Sequence, residues 1–281
     1  MRSPDPARTL TAELVHIVPG RRVTLLGHVH RRRELATVAF LIIRDRSGLA
    51  QVVVRSAEHP ADGLPPEETV VRVTGTVAAN PQAPGGVEIV DPQIESLSEP
   101  AAPPVVELWR PTLETSLPTL LDHAAVTWRH PARRATWQIA AASVRAFRRV
   151  LDAADFTEVQ TPKIVDTVTE SGANVFPVDY FGRTGYLAQS PQFYKQQLVG
   201  VFERVYEVGP VFRAEPHDTV RHLSEYVSLD VELGFIRDHR DVLRLLGAVL
   251  RGMLDGIRTD AAEELAQLDV TLPRSEEHTS E

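Results

Sequence analysis

The chain has 281 residues, 38 Asp+Glu against 30 Lys+Arg, a formal net charge of −8 and 43% hydrophobic residues. That length accommodates one large or two ordinary domains with a full core, and the acidic total does not advertise nucleic-acid binding, although a local basic patch can override a total. The lack of cysteine excludes a disulfide framework and any thiolate metal site; no apolar run is long enough to span a membrane and MRSPDPARTL has no signal-peptide core, so a cytoplasmic protein with no membrane partner is expected.

In chain order, the first hundred residues read as β structure. Short apolar runs lie at Val23–His30, Thr37–Asp45, Leu49–Val54, Thr69–Ala79 and Gly86–Val90, separated by the turn signals DRSG, DGLPP and NPQAPGG. Five such strands suggest an all-β barrel of the OB type over residues 1–97, with an SH3-like barrel as the alternative. SEPAAPPVVELWRP (Ser98–Pro111) opens a Pro/Ala-rich linker or hinge, taken as residues 98–131.

The second half, residues 132–272, mixes helices and strands. Trp137, Ala140, Ala141, Val144, Phe147, Val150 and Leu151 recur at helical spacing between Ala132 and Ala154. An extended stretch broken at Pro162 follows, then a hairpin over Val175–Gln189 around Gly182–Gly185. SPQFYKQQLVGVF has Ser190 as expected cap and Pro191 in the first turn, hence a helix. Two strands, Arg204–Glu215 and Leu223–Ile236, flank the polar loop PHDTVRH, and a last helix runs from His239 to Leu268. This is an α+β domain on an antiparallel sheet. The polar end RSEEHTSE carries no pattern and is set apart, with residues 273–281, as a non-native tail.

Two features carry chemistry. Lysine is nearly absent, since only Lys163 and Lys195 occur among the 30 basic residues. And the strand containing Tyr226, Ser228, Asp230 and Glu232 alternates these with Val227, Leu229, Val231 and Leu233. Beside it, Arg213 and Glu215 share one face, and the loop adds Arg221 and His222. Guanidinium forks grip phosphate oxygens bidentately and an aromatic ring can cover a purine, so this floor suits a polyanion with a flat base. The blander readings are a solvated strand face, an Arg221–Glu225 pair and a strand-end His222. Asp230 and Glu232 are either structural partners of the arginines or metal ligands.

GPVFRAEPHDTVRHLSEYVSLDVEL resembles motif 2 of the class II aminoacyl-tRNA synthetases, and the helix followed by EVQTPKI resembles motif 1. SPQFYKQ is similar to the amino-acid-recognition segment of aspartyl-tRNA synthetases, and GHVHRRRELATVAFLIIRDRSGLAQVVV to their anticodon-binding OB barrel; the form RAEPHDTVRHL points to the archaeal and eukaryotic type. The resemblance covers Leu10 to Leu268. It implies an aspartate–tRNA ligase that uses ATP and Mg²⁺ to convert L-aspartate to aspartyl-adenylate, transfers it to tRNA(Asp), and works as a homodimer with Pro162 at the interface.

Residue by residue, the resemblance implies that Arg213 holds the α-phosphate and the substrate carboxylate, and that Glu215, with Ala214 beside it, meets the adenine side. Arg221, His222 and Leu223 would lie along the outer phosphates, with Tyr226 on adenine. Glu170 would meet the substrate ammonium; Gln192 would contact the amino acid, with Phe193 and Tyr194 lining the segment, and Lys195 would meet the β-carboxylate. Phe40 would stack on an anticodon base and Gln51 hydrogen-bond one, as single-stranded RNA is usually read; barrel core is the alternative for Phe40. His28 stands where members charging only tRNA(Asp) carry tryptophan, and Pro84 lies in the loop that makes the same distinction, so tRNA(Asn) is a second expected partner. Motif 3 and the acidic residues that hold Mg²⁺ are not found, so no metal ligand is assigned and the 281-residue chain is expected to be C-terminally truncated and not to form the adenylate. Alternatives within reach are an asparaginyl-tRNA synthetase-like ligase and a non-catalytic synthetase paralogue binding RNA.

Overall fold

The structure, a computed structural model, describes residues 8–55, 63–168, 174–217, 219 and 222–273. The chain divides into two compact units, Met1–Arg134 and Ala135–Glu281.

In the first unit β1 (Arg22–Glu34), β2 (Val38–Arg44), β3 (Leu49–Arg55), β4 (Val70–Ala79) and β5 (Val87–Ser96) close into a barrel in the order β1-β2-β3-β5-β4, with β4 returning to β1. This is the OB-type order, and it excludes a small sheet with open edges. Alternation builds it: Val23, Leu25 and Val29 of β1, Ala39, Leu41 and Ile43 of β2, and Val52 and Val54 of β3 all point into one core. The intervening residues face outward. Phe40 is one of them; it is half-buried and outside the core cluster, so the barrel-core alternative is set aside. At Gly27 the chain needs its missing side chain, because a Cβ there would stand 2.4 Å from the Arg44 carbonyl oxygen.

The linker expected over 98–131 is not structureless. It contains α1 (Leu117–Asp122), capped by Ser116 Oγ accepting from Thr119 N, and α2 (Ala124–Thr127). Composition hid these turns because Pro and Ala dominate the segment's start.

The second unit is built on α3 (Pro131–Asp152), whose body lies in it, and α5 (His239–Asp260). β6 (Thr157–Glu158), β10 (Arg204–Phe212) and β11 (Glu225–Leu233) form one sheet in the order β11-β10-β6, with β10 and β11 antiparallel. β7 (Ile164–Val165), β8 (Pro177–Tyr180) and β9 (Arg183–Leu187) form another. Tyr206, Val208, Leu229, Val231 and Leu233 of the first sheet pack on Phe147 and Leu151 of α3 and Val249 of α5. Helix and sheet thus each bury one face, which leaves the opposite sheet face for polar groups.

Several boundaries depart from expectation. The long last helix breaks at Ala261 (φ −139), giving α5 and α6 (Ala262–Gln267). The hairpin turns at Phe181 (φ 53) and Gly182 (φ 77), both left-handed as a two-residue primed turn requires, and Gly185 lies inside β9. In α4 (Gln192–Phe202) the cap is Pro191; Ser190 sits one residue earlier and its Oγ accepts from Gln192 N at 3.3 Å. β10 ends at Phe212, so Arg213 and Glu215 lie beyond the strand. Val227, expected on the greasy face, is 62% exposed and lies outside the cluster that Leu229, Val231 and Leu233 form with the helices.

Candidate functional site

The polar face of the β10–β11 sheet carries the site. Register fixes which groups meet: Val211 lies opposite Tyr226, Gly209 opposite Ser228, Glu207 opposite Asp230 and Val205 opposite Glu232. Above this floor runs α4, which lays Gln192 and Lys195 over β11. The Lys195 side chain is 4% exposed, with its Nζ 3.0 Å from Asp230 Oδ1 and 3.6 Å from Glu232 Oε2. Gln192 Nε2 lies 3.5 Å from the same Glu232 oxygen. Asp230 and Glu232 therefore have the buried lysine as their partner, where arginines had been the expected structural partners. A compact ammonium fits between two carboxylates where a planar guanidinium would need more width.

A cavity of about 440 Å³ opens beyond the strand ends, lined by Arg213, Glu215, His222, Leu223 and Tyr226. The five residues reach it by different routes. Tyr226 comes from the second residue of β11, while Arg213 is held past the end of β10 by its backbone N–H donating to Ser224 O at 2.9 Å. Ala214 N donates to Asn174 O at 3.0 Å, fixing the turn between them. The Arg213 guanidinium carbon lies 5.9 Å from the Tyr226 ring centroid, within cation–π range. His222 Nε2 is 3.7 Å from Glu215 Oε2, and its Nδ1 is 2.8 Å from Thr219 Oγ1. The combination is a guanidinium, a ring face and a carboxylate–imidazole pair around one opening. Glu170 and Arg221 lie outside the described residues. Phe193 stands 42% exposed on α4, so it does not line a closed pocket, whereas Tyr194 is half-buried.

Glu207, 1% exposed in the middle of β10, was not anticipated. It accepts from Thr161 N at 3.1 Å, Thr161 Oγ1 at 2.7 Å and Lys163 Nζ at 2.7 Å. This explains Lys163 and ties the segment around Pro162 to the sheet floor. Gly209 leaves room for it: a Cβ there would stand 3.1 Å from Glu207 Oε1 and 3.4 Å from Lys163 Cε. The available signal was a lone glutamate inside the greasy run VYEV, which demands a buried cation.

On the barrel, Gln51 Nε2 donates to Glu88 Oε2 at 2.9 Å, and Asn80 Nδ2 donates to the same oxygen at 2.7 Å. That bond fixes the Gln51 amide and turns its carbonyl oxygen the other way. Phe40 and Gln51 sit on adjacent, paired strands, with Phe40 opposite Val53 and Gln51 opposite Ile42. Pro84 begins a short 3-10 turn before β5. His28 lies opposite Arg44 on β1, and both burial and the Arg44 charge hold its imidazole below the usual range. Deeper in, Arg44 makes a bidentate pair with Glu68 at 2.9 Å on each side and donates to His30 Nδ1 at 2.9 Å; Arg129 adds a third contact to Glu68 at 2.6 Å. Burial alone would raise the Glu68 carboxyl, but the hydrogen bonds and charge of Arg44 and Arg129 outweigh it and hold it low.

Residues 116–279 match the family described as tRNA synthetases class II (D, K and N), and residues 23–97 match the OB-fold nucleic acid binding domain. The chain is 48% identical over 254 residues to the aspartate–tRNA(Asp/Asn) ligase of Thermus thermophilus, covering 90% of this chain and 59% of the relative. It is 46% identical over 268 residues to the ligase of the same name from Deinococcus radiodurans, covering 95% and 60%. It thus spans about 60% of the length of the curated relatives it matches. Among solved structures, asparaginyl-tRNA synthetase from Pyrococcus horikoshii with asparaginyl-adenylate superposes with a TM-score of 0.84 at 28% identity, over 92% of this chain and 60% of that one. Aspartyl-tRNA synthetase from Entamoeba histolytica gives 0.77 at 25% identity, over 93% and 57%. With more than half its residues matched by the synthetase family and its barrel by the nucleic-acid-binding one, the chain belongs to the class II tRNA synthetases of the D, K and N group.

Proposed function

We propose that this chain is the tRNA-reading and substrate-binding part of an aspartate–tRNA(Asp/Asn) ligase, which activates L-aspartate with ATP and transfers it to tRNA(Asp) and tRNA(Asn). The observation that carries the reading is the buried Lys195 ammonium over the strand, β11, that also supplies Tyr226 to the cavity of Arg213, Glu215 and His222. The names of the relatives support it. Residues 1–97 would read the anticodon, 98–131 connect, and 132–272 hold ATP and the amino acid, with Pro162 at a homodimer interface.

The reaction displaces pyrophosphate from the α-phosphate by the aspartate α-carboxylate. It needs orientation and charge neutralisation more than covalent help. Arg213 neutralises the α-phosphate and the attacking carboxylate together, and Tyr226 covers adenine while Glu215 meets its edge. His222 and Arg221 take the outer phosphates. Lys195 presents its ammonium to the β-carboxylate, Gln192 orients the amino acid, and Glu170 receives its ammonium. Asp230 and Glu232 hold Lys195 upright between substrate visits.

Magnesium is expected to arrive on phosphate oxygens, as it usually does in such sites. Among the described residues no three His, Asp or Glu side chains converge on a metal position, and Asp230 and Glu232 are engaged by Lys195. The described residues thus do not fit a protein-held ion.

The test is aminoacylation by a chimera in which residues 1–273 are continued by the remaining part of the Thermus thermophilus relative. Charging of both tRNA(Asp) and tRNA(Asn) with aspartate is expected. Charging of tRNA(Asp) alone would remove the tRNA(Asn) partner, and charging with asparagine would favour the asparaginyl reading, to which the match with the Pyrococcus horikoshii structure lends its weight.

A further inference from the structure

Lys163 has no place among the substrate contacts given above, yet it stands at the root of the segment that makes them. Its Nζ donates to Glu207 Oε1 at 2.7 Å and to Thr161 Oγ1 at 3.1 Å. Thr161 closes the cluster, with its N–H on Glu207 Oε1 at 3.1 Å and its hydroxyl on Glu207 Oε2 at 2.7 Å. Residues 161 to 163 are thus fastened to one sealed carboxylate in the middle of β10.

The backbone of the same short stretch carries the segment that leads to Lys195. Lys163 O accepts from Ala188 N at 3.0 Å, which extends the antiparallel ladder of Ile164 with Leu187 and Val165 with Tyr186. Ala188 O accepts in turn from Phe212 N at 3.0 Å. The contacts form a circuit that leaves β10 at Glu207, runs through Lys163 and Ala188, and returns to β10 at Phe212. Both of its outlets lead into the site. Ala188 is followed by the buried Gln189 and Ser190, then by α4 with Gln192 and Lys195. Phe212 is followed by Arg213. The far end of residues 188–195 also rests on the floor, with Lys195 Nζ 3.0 Å from Asp230 Oδ1, and Asp230 lies opposite Glu207. One cross-strand pair of carboxylates therefore anchors both ends of the segment.

We infer that Lys163 is a positioning residue for amino-acid recognition: locked to Glu207 and Thr161, it holds Ala188, and through Ala188 it sets where Gln192 and Lys195 stand over the sheet. The inference rests on the aspartate–tRNA ligase reading given above. Placement matters because a compact ammonium must meet a small carboxylate, and a shift of about 1 Å in a substrate-positioning group costs on the order of 10²-fold in rate. Lysine suits position 163 because one ammonium carries three donors and can serve Glu207 and Thr161 together. Glu215, His222, Leu223 and Tyr226 reach the cavity from β11 and the loop before it, outside the circuit, so the nucleotide side does not hang from Lys163.

The test uses Lys163→Arg, which keeps the charge and changes its shape, Thr161→Val, which removes the hydroxyl, and Thr161→Ser, which keeps it. Hydrogen–deuterium exchange on the 281-residue chain reads the anchoring without any activity. Amides of residues 188–197 are expected to exchange roughly tenfold faster in Lys163→Arg and Thr161→Val. The barrel strands and α5 should keep their parent rates, and Thr161→Ser should match the parent throughout. In the chimera with the Thermus thermophilus continuation, pyrophosphate exchange should show the KM for aspartate raised about tenfold in the first two variants, with the KM for ATP unmoved. A smaller folded fraction alone lowers the apparent kcat and leaves both KM values in place, so this split separates positioning from stability. Parent-like exchange over residues 188–197, faster exchange along the whole chain, or an unmoved KM for aspartate overturns the inference. If the parent chimera does not activate aspartate, the ligase reading fails separately, and exchange over residues 188–197 still decides whether Lys163 holds the segment.

Discussion

Glu207 and Asp230 face each other across the β10–β11 ladder, and each holds one of the two lysines in the chain, Lys163 at 2.7 Å and Lys195 at 3.0 Å. Two carboxylates in register on one sheet face repel unless each has its own cation. The arrangement sorts the lysines by exposure of the partner. Glu207 is sealed and its pair is structural, whereas the Asp230 side chain is 19% exposed. The polar floor is thus one electrostatic unit with a closed end and an open end.

Replacing Lys163 by Met is expected to leave the Glu207 carboxylate buried without a cation and to destabilise the chain by about 3–5 kcal/mol. Urea unfolding followed by circular dichroism measures it. The double variant Lys163→Met with Glu207→Gln should recover a large part of the loss. A single-variant cost under about 1 kcal/mol would contradict the buried-pair account.

Lys195→Met is expected to act on the substrate. In the aspartate-charging chimera, kcat/KM for aspartate should fall by about 10²–10³-fold, the cost of truncating one member of a desolvated charge pair. Lys195→Arg should fall similarly, because a planar guanidinium is broader than the compact, buried ammonium that Asp230 and Glu232 hold. Unchanged aspartate activation in either variant rules out the selecting role of Lys195.

Two glycines set the approach of α3 and α5. A Cβ on Gly256 would stand 2.3 Å from the Ala146 Cβ, and one on Gly252 would stand 2.3 Å from Val150 Cγ2. Gly256→Ala is therefore expected to destabilise by about 1–3 kcal/mol despite the better helix propensity of alanine. At Gly247 the nearest atom is the flexible Arg251 side-chain tip at 3.3 Å, so Gly247→Ala should stabilise by about 0.5–1 kcal/mol. Thermal unfolding of the two variants side by side checks the contrast, and equal signs would refute it.

The barrel should respond to acid through His30. Burial, and then the Arg44 charge, push its imidazole down to about 4, and the Arg44 donation to Nδ1 holds the neutral tautomer. The unfolded chain takes up this proton near pH 6.5, whereas the folded chain resists it until about 4. The contribution is complete above about 6.5 and is lost progressively as pH falls from there to about 4, on the order of 3 kcal/mol in all. His30→Gln should flatten the stability–pH profile in that window, and an unaltered profile would count against the assignment.

Much of this architecture is legible in the residues taken in order. Alternating apolar runs with turn signals between them point to five strands, and one greasy face on each suggests a closed barrel, which leaves no sheet edge exposed. The helix of Trp137 to Leu151 and the polar face of Tyr226, Asp230 and Glu232 are equally local, since periods of 3.6 and 2 are properties of neighbours in sequence. Local pattern also marked Lys195 and Arg213 as unusual. It could not say what they touch. The partners of Lys195 lie 35 and 37 positions away and depend on the β10–β11 register, and Lys163 meets Glu207 across 44 positions. The buried Arg44–Glu68 pair and its third member Arg129 likewise join positions far apart in the chain. Each depends on which strands pair and by how much they slide, and a slip of one residue would turn every polar group of the floor into the core. Sequence alone determined which chemistry this chain carries; tertiary register decided which charges share it, because pairing across a sheet is fixed by long-range packing and not by the residues on either side.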